Sequence, residues 1–389
     1  MSNTSAHEGK GFVYIVGAGS GVAGQLTLDA KAAIEKADVI IFDRLLSVDM
    51  LGYARPDCEL IFVGKPPKGT NRPQREVNEL LVTKAKEGKI VVRLKGGDPF
   101  IFGRGSEEAL ELKRHGIACE VVPGMSAAIS VPAYAGIPLT KPGVSTSITM
   151  IAGNGLPENL VASTSWEYIS KTTGTLVILM GVGNLAIIVS KLIEHGMDPT
   201  TPVAIVERGV SPKQRTLCGD LNTIVSLVKQ HRLKNPAVVI VGKVVSLHEE
   251  LQWHEGRPLS GRSFLVTKAK LEDSALTAVL ADLGARILEV PAIVTEVAAD
   301  RTISPEVDEK TLKDSLANSD IDSITFTSPA LVHNLIDLLD GDITLLLGLK
   351  LYSIDSVVSD TLRDYGLSPA AQAASPSAES LVEAIIADC

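Results

Sequence analysis

The chain is poor in aromatic residues, which make up 4% of its 389 positions. No basic stripe with interleaved aromatics is present, so a nucleic-acid partner is not expected. Its four cysteines, Cys58, Cys119, Cys218 and Cys389, form no CxxC pair. That spacing indicates neither a disulfide framework nor a zinc knuckle; buried structural thiols and no metal are the expectation. Hydrophobic runs such as TLVILMGV, from Thr175 to Val182, are too short to cross a bilayer, which argues against a membrane partner. The first ten residues, MSNTSAHEGK, lack the basic start and apolar stretch of a signal peptide. Residues 1–10 therefore read as a disordered tail and the chain as cytoplasmic.

What is present is ordinary globular composition, 45% hydrophobic and 21% charged, in a length suited to two or three domains. The net charge of −9 is unevenly spread: residues 262–389 hold 9 Lys and Arg against 21 Asp and Glu, while the first 261 residues hold 28 against 25. That asymmetry predicts a boundary near residue 260, and places anionic ligands on the first part.

Strands and helices alternate from the start. GFVYIVGAG, DVIIFD, ELIFVGK, KIVVRLKGG and ACEVVPG read as strands, separated by the helical patterns LTLDAKAAIEKA, REVNELLVTKAKEG and SEEALELKRHG. Several of these strands are apolar throughout, which indicates a buried and largely parallel sheet. Gly88 and Gly116 fall where helix-ending glycines belong. A second α/β segment runs from STSITMIAGN through GTLVILMG, NLAIIVSKLIEHG, PVAIVERG, a turn region SPKQRTLCGD, LNTIVSLVKQH and AVVIVGKVV. The expected organisation is a lobe over 11–144, a second over 145–253, a Gly- and Pro-containing linker over 254–261, and a small α/β domain over 262–389. A small-molecule site is expected in the cleft between the first two lobes.

Two motifs point to chemistry. In VYIVGAGSGVAG, Gly19, Gly21 and Gly24 satisfy GxGxxG, and Asp43 ends the next strand. Counted from Gly17, where the strand ends, the third position is Val22, so the nicotinamide or flavin frame is poor. A tight strand-to-helix turn and the binding of a different adenosine-containing ligand both remain open. The second motif, VVRLKGGDPFIFGRGSEE from Val91 to Glu108, ends a strand in a Gly-Gly pair that permits close backbone approach to a ligand. Asp98 follows at once, and Arg104 reads as buried.

The segments GAGSGVAGQLTL, FDRLLS, VGKPP, PQREVN, VVRLKGGDPFIFGRGSEE, VVPGMSAAISVPAYAGIPLT, LMGV, PVAIVERG and PAVVIVGKVV closely resemble the uroporphyrinogen-III C-methyltransferases among the tetrapyrrole methylases, from Gly11 to Trp253 in unbroken order. The resemblance implies a two-lobed fold, a homodimer, and S-adenosylmethionine held in the cleft and released as S-adenosylhomocysteine. It implies cofactor contacts at Ser20, Gly96, Gly97, Asp98, Ile101, Ser126, Ala127, Met180 and Ala204, and acid/base roles for Asp43 and Lys65. For Asp43 a helix cap or ribose contact stays open, and for Lys65 a contact to a substrate carboxylate. Uroporphyrinogen III carries eight carboxylates, for which Arg44, Arg104 and Lys141 are candidate partners. Where the family usually has GAGPGD, GKR and THR, this chain has Ser20 and Val22, Pro66, and Lys141 with Pro142. The last 128 residues resemble about half of a uroporphyrinogen-III synthase, through FLVTKAKLEDSALTAVLADLGARILEVPAI and ITFTSPALVHNL. A catalytically silent binding protein, a bifunctional protein with residual uroporphyrinogen-III synthase activity in these last residues, and a nicotinamide oxidoreductase are the competing functions.

Overall fold

A computed structural model describes residues 11–43, 48–64, 72–155, 164–268, 275–291, 312–313, 316 and 321–389. The expected N-terminal tail lies outside them. The chain divides into two compact units, Met1–Gln252 and Trp253–Cys389.

The first unit opens with a parallel sheet of β1 (Phe12–Gly17), β2 (Val39–Phe42), β3 (Glu59–Phe62), β4 (Ile90–Lys95) and β5 (Ala118–Val122), in the order β3-β2-β4-β1-β5. Side chains alternate across the strands. Val13 and Ile15 pack on one face with Val77 and Leu81 of the helix Gln74–Lys86, while Val16 packs on the other with Ala30 and Ile34 of the helix Leu28–Lys36. Thr27 caps the latter helix by accepting from the Ala30 amide. The helices Gln74–Lys86 and Gly105–Arg114 end just before Gly88 and Gly116, as the sequence predicts.

From β5 the chain enters the helix Ala127–Tyr134, which the reading by periodicity passes over. Its Ala128, Val131 and Ala135 neighbour pack against Val177, Ala204, Val206 and Ile240 of the second sheet, so one apolar cluster joins the two lobes. That sheet comprises β6 (Ile148–Ala152), β7 (Thr175–Leu179), β8 (Pro202–Glu207), β9 (Arg215–Asp220) and β10 (Ala237–Val241), ordered β6-β7-β10-β8-β9. Only β6 and β7 run parallel; the other pairs are antiparallel. The region SPKQRTLCGD is therefore not only a turn. Its second half is β9, an edge strand with half-exposed side chains, which leaves no apolar alternation for a sequence pattern to detect.

The second unit carries a wholly parallel sheet: β11 (Ser263–Lys268), β12 (Arg286–Pro291), β13 (Ser323–Phe326), β14 (Lys350–Ser353) and β15 (Ala371–Gln372), ordered β12-β11-β13-β14-β15. Leu259, in the stretch read as a linker, is fully buried with Phe264, Tyr352 and Leu381, so that stretch is built into this unit's core. The Tyr352 hydroxyl and the Lys350 ammonium both donate to Asp388, tying the helix Ala378–Asp388 to β14. Burial, and next the bond to Asp388, push the Tyr352 hydroxyl well above the usual phenol range.

The cysteines depart from expectation. Cys58 and Cys119 are half-buried, and Cys218 and Cys389 are exposed. Cys218 sits on edge strand β9, and Cys389 ends the last helix, positions that no core covers.

Candidate active site

Because the first sheet is parallel, its carboxyl ends share one edge. The strands β1 and β4 are neighbours, yet β1 connects to β2 on one side and β4 connects to β5 on the other. Ligands of open α/β sheets bind in the crevice at such a reversal. Both glycine motifs lie there. Ala18 donates to the Lys95 carbonyl at 2.8 Å, and Gly19 and Gly97 exchange amide bonds of 3.2 and 2.6 Å. The loop after β5 closes on the same point. A Cβ on Gly17 would stand 2.6 Å from the Gly124 nitrogen and 2.7 Å from the Gly97 carbonyl oxygen, so three backbones meet where no side chain fits.

Side chains fix this junction. The Asp98 carboxylate accepts from the Phe100 amide at 2.8 Å and from the Gly124 amide at 3.1 Å, joining the loops after β4 and β5. Ser126 caps the helix Ala127–Tyr134 through the Ala128 amide. The Ser20 hydroxyl bonds that of Ser130 on the same helix, and the Ser20 amide donates to Gln25 Oε1 at 2.8 Å. Val22 packs against the interlobe cluster. Exposed apolar side chains flank the loops: Phe100, Phe102, Met125 and Ile129.

A buried charge network lies beneath the crevice. Arg93 and Lys95 are two apart on β4 and so share a face, and Glu108 reaches them from the helix Gly105–Arg114. Their side chains are no more than 5% exposed. Glu108 Oε1 accepts from Arg93 Nε at 3.1 Å, Lys95 Nζ at 2.9 Å and Gln74 Nε2 at 3.0 Å. Arg93 Nη2 donates to both oxygens of Asp43, at 2.7 and 2.9 Å. Asp43 is 33% exposed and is the one carboxylate of the network open to solvent. Burial, and after it the neighbouring Arg93, lowers the Lys95 ammonium from the ordinary lysine range.

Sequence reasoning did not pick out Arg93, Lys95, Glu108 or Gln74. A signal existed in VVRLK, an apolar strand carrying two cations in the same register, which demands buried anions opposite.

The remaining site residues divide. Ser20, Gly96, Gly97, Asp98, Ile101, Ser126 and Ala127 all lie on the converging loops or at the helix start beside them. Met180 follows β7 with φ of 57° and is exposed. Ala204 is fully buried in the middle of β8, paired with Ile240 on one side and Cys218 on the other. Arg104 is not buried: its side chain is 55% exposed and holds Glu107, because it precedes the first turn of its helix with φ of 58°. Lys141 is exposed, and its backbone pairs with Ser145. Arg44 and Lys65 lie outside the described residues. Among the described residues no three His, Cys, Asp or Glu side chains gather to hold a metal, and no helix is long and apolar enough to cross a membrane.

A sequence model of the tetrapyrrole (corrin/porphyrin) methylases matches residues 13–225. The chain belongs to the tetrapyrrole methylases. A model of uroporphyrinogen-III synthase HemD matches residues 225–383 of this methylase, beginning before the second compact unit does. The chain is 41% identical over 286 residues to the uroporphyrinogen-III C-methyltransferase of Bacillus subtilis (strain 168), covering 74% of this chain and 59% of that protein. It is 45% identical over 236 residues to the uroporphyrinogen-III C-methyltransferase of Priestia megaterium, covering 61% of this chain and 99% of that one. The chain thus spans between half and two thirds of the Bacillus relative, and about half of relatives named siroheme synthase. Among solved structures, the uroporphyrin-III C-methyl transferase of Thermus thermophilus complexed with S-adenyl homocysteine is 36% identical, with a TM-score of 0.52 over 61% of this chain and 100% of that one.

Proposed function

We propose that this methylase transfers two methyl groups from S-adenosylmethionine to ring carbons of uroporphyrinogen III, giving precorrin-2 for sirohaem or cobalamin synthesis. The observation that carries this is the 45% identity maintained across 99% of the Priestia C-methyltransferase. The crevice suits the cofactor. Three backbones meet without side chains at its floor, a carboxylate at Asp98 stands beside it, and exposed Phe100, Met125 and Ile129 offer apolar surface to a flat ring. S-adenosylmethionine, when bound, supplies an electrophilic methyl group.

The residues of the chain do the remainder. Ser20, Gly96, Gly97, Asp98, Ile101, Ser126, Ala127 and Met180 hold and orient the cofactor, with Asp98 acting mainly by bracing two loops. Arg44, Arg104 and Lys141 meet the carboxylates of the tetrapyrrole. As the new carbon–carbon bond forms, the sulfur–methyl bond would break and S-adenosylhomocysteine would leave; the cationic ring must then shed a proton, and Asp43 takes it, with Lys65 as partner. Orientation of the reacting carbon supplies most of the rate. The protein acts as a homodimer, and the second unit serves docking or stability.

Anaerobic incubation with S-adenosylmethionine and uroporphyrinogen III, followed by mass analysis of the tetrapyrrole, tests this reading. A gain of two methyl groups is expected. No gain, with the cofactor still bound, would make the chain a binding protein.

A further inference from the structure

We infer that Arg93 is the positioning residue of the Asp43 carboxylate, and that Glu108, Lys95 and Gln74 exist to hold Arg93. This rests on the reading of Asp43 as the base. Asp43 stands at the end of β2 with both oxygens on one guanidinium. Both contacts come from one nitrogen, Nη2, and that nitrogen is fixed in place by the bonds the rest of the rigid guanidinium makes. The guanidinium is itself fully engaged: Nε donates to Glu108, and Nη1 donates to the carbonyls of Ile41 and Leu94 at 3.3 and 3.2 Å. Glu108 is held in turn by Lys95 and by Gln74, which also donates to Asn78 Oδ1 at 3.0 Å.

Stability alone does not account for such an arrangement. Burying ions is expensive, and apolar side chains of the same volume are as stable or more so. A chain of buried charges, with every N–H of the guanidinium engaged, that ends on one partly exposed carboxylate beside the crevice is what orienting that carboxylate requires. Misplacement of a reacting group by about 1 Å costs about 100-fold in rate.

The test compares Asp43→Asn, Arg93→Lys and the double variant in the full chain, by steady-state methyl transfer and by calorimetric binding of S-adenosylhomocysteine. Lysine keeps the charge but lacks the Nε and Nη1 donors that anchor the guanidinium to Glu108 and to the Ile41 and Leu94 carbonyls. Arg93→Lys is expected to lower kcat by about 30- to 100-fold with KM for S-adenosylmethionine within about 2-fold, and to add less than about 3-fold to the loss in Asp43→Asn. If Asp43→Asn is inactive while Arg93→Lys keeps turnover within about 3-fold, or if the two losses multiply, the positioning role is overturned and the base survives. Near-normal turnover in Asp43→Asn overturns the base and the inference with it. Should Arg93→Lys fail to fold, Arg93→Gln is read by the same criteria; failure of both assigns Arg93 to stability and overturns the proposal.

Discussion

Replacing Glu108 by glutamine changes one oxygen to an amide and removes one negative charge from a fully buried site. In the native chain its Oε1 faces three donors, two of them cationic. The variant leaves Arg93 and Lys95 opposed by Asp43 alone. Removing one partner of a buried pair costs about 3–5 kcal/mol, because the surviving charge cannot regain its hydration. For a unit the size of Met1–Gln252, each kcal/mol is worth about 2–4 °C, so its melting should fall by about 6–20 °C. Calorimetry, with hydrogen exchange to assign each transition to its unit, reads this. The loss should hardly change between 0.15 and 1 M salt, since screening does not reach a dry site. A shift below about 2 °C, or one confined to the second unit, would refute the network as described.

A Cβ on Gly124 would sit 2.4 Å from the Gly97 carbonyl oxygen and 2.6 Å from Gly17 Cα, all backbone that cannot swing aside. Gly124→Ala should cost about 1–3 kcal/mol and weaken S-adenosylhomocysteine binding at least about 10-fold by calorimetry; unchanged binding would sever these loops from the cofactor site. The Lys95 ammonium is lowered in the folded chain, so at pH values between its folded pKa and the ordinary 10.5 the unfolded chain binds more protons, and stability rises with pH there. Lys95→Met should flatten that alkaline rise in urea unfolding, and an unaltered slope would contradict it. Burial pushes the Cys58 thiol up to about 11, and burial raises Cys119 as well. Iodoacetamide at pH 8 should therefore label the exposed Cys218 and Cys389 first, as peptide mass mapping would report.

The elements of the first lobe were legible because each announces itself locally. Val13, Ile15 and Val16 sit in a continuous apolar run, and Gly88 and Gly116 stop their helices. Edge strand β9 was not legible, since its side chains are half in water and carry no alternation. Arg104 looked buried amid glycines and apolar residues, yet it precedes a helix and turns outward to Glu107. The glycine loops and Asp98 could be named from their order in the chain, whereas their mutual contact could not.

The sequence by itself determined the kinds of element, the acidic last third and the membership of the methylases, because periodicity, charge and motif order are properties of neighbouring residues. Only the tertiary structure decided that β1 lies beside β4, that Gly17, Gly97 and Gly124 touch backbone to backbone, and that Arg93 grips Asp43 from fifty positions away. Strand order and the partners of buried charges are set by which surfaces exclude water together, and no local pattern records that.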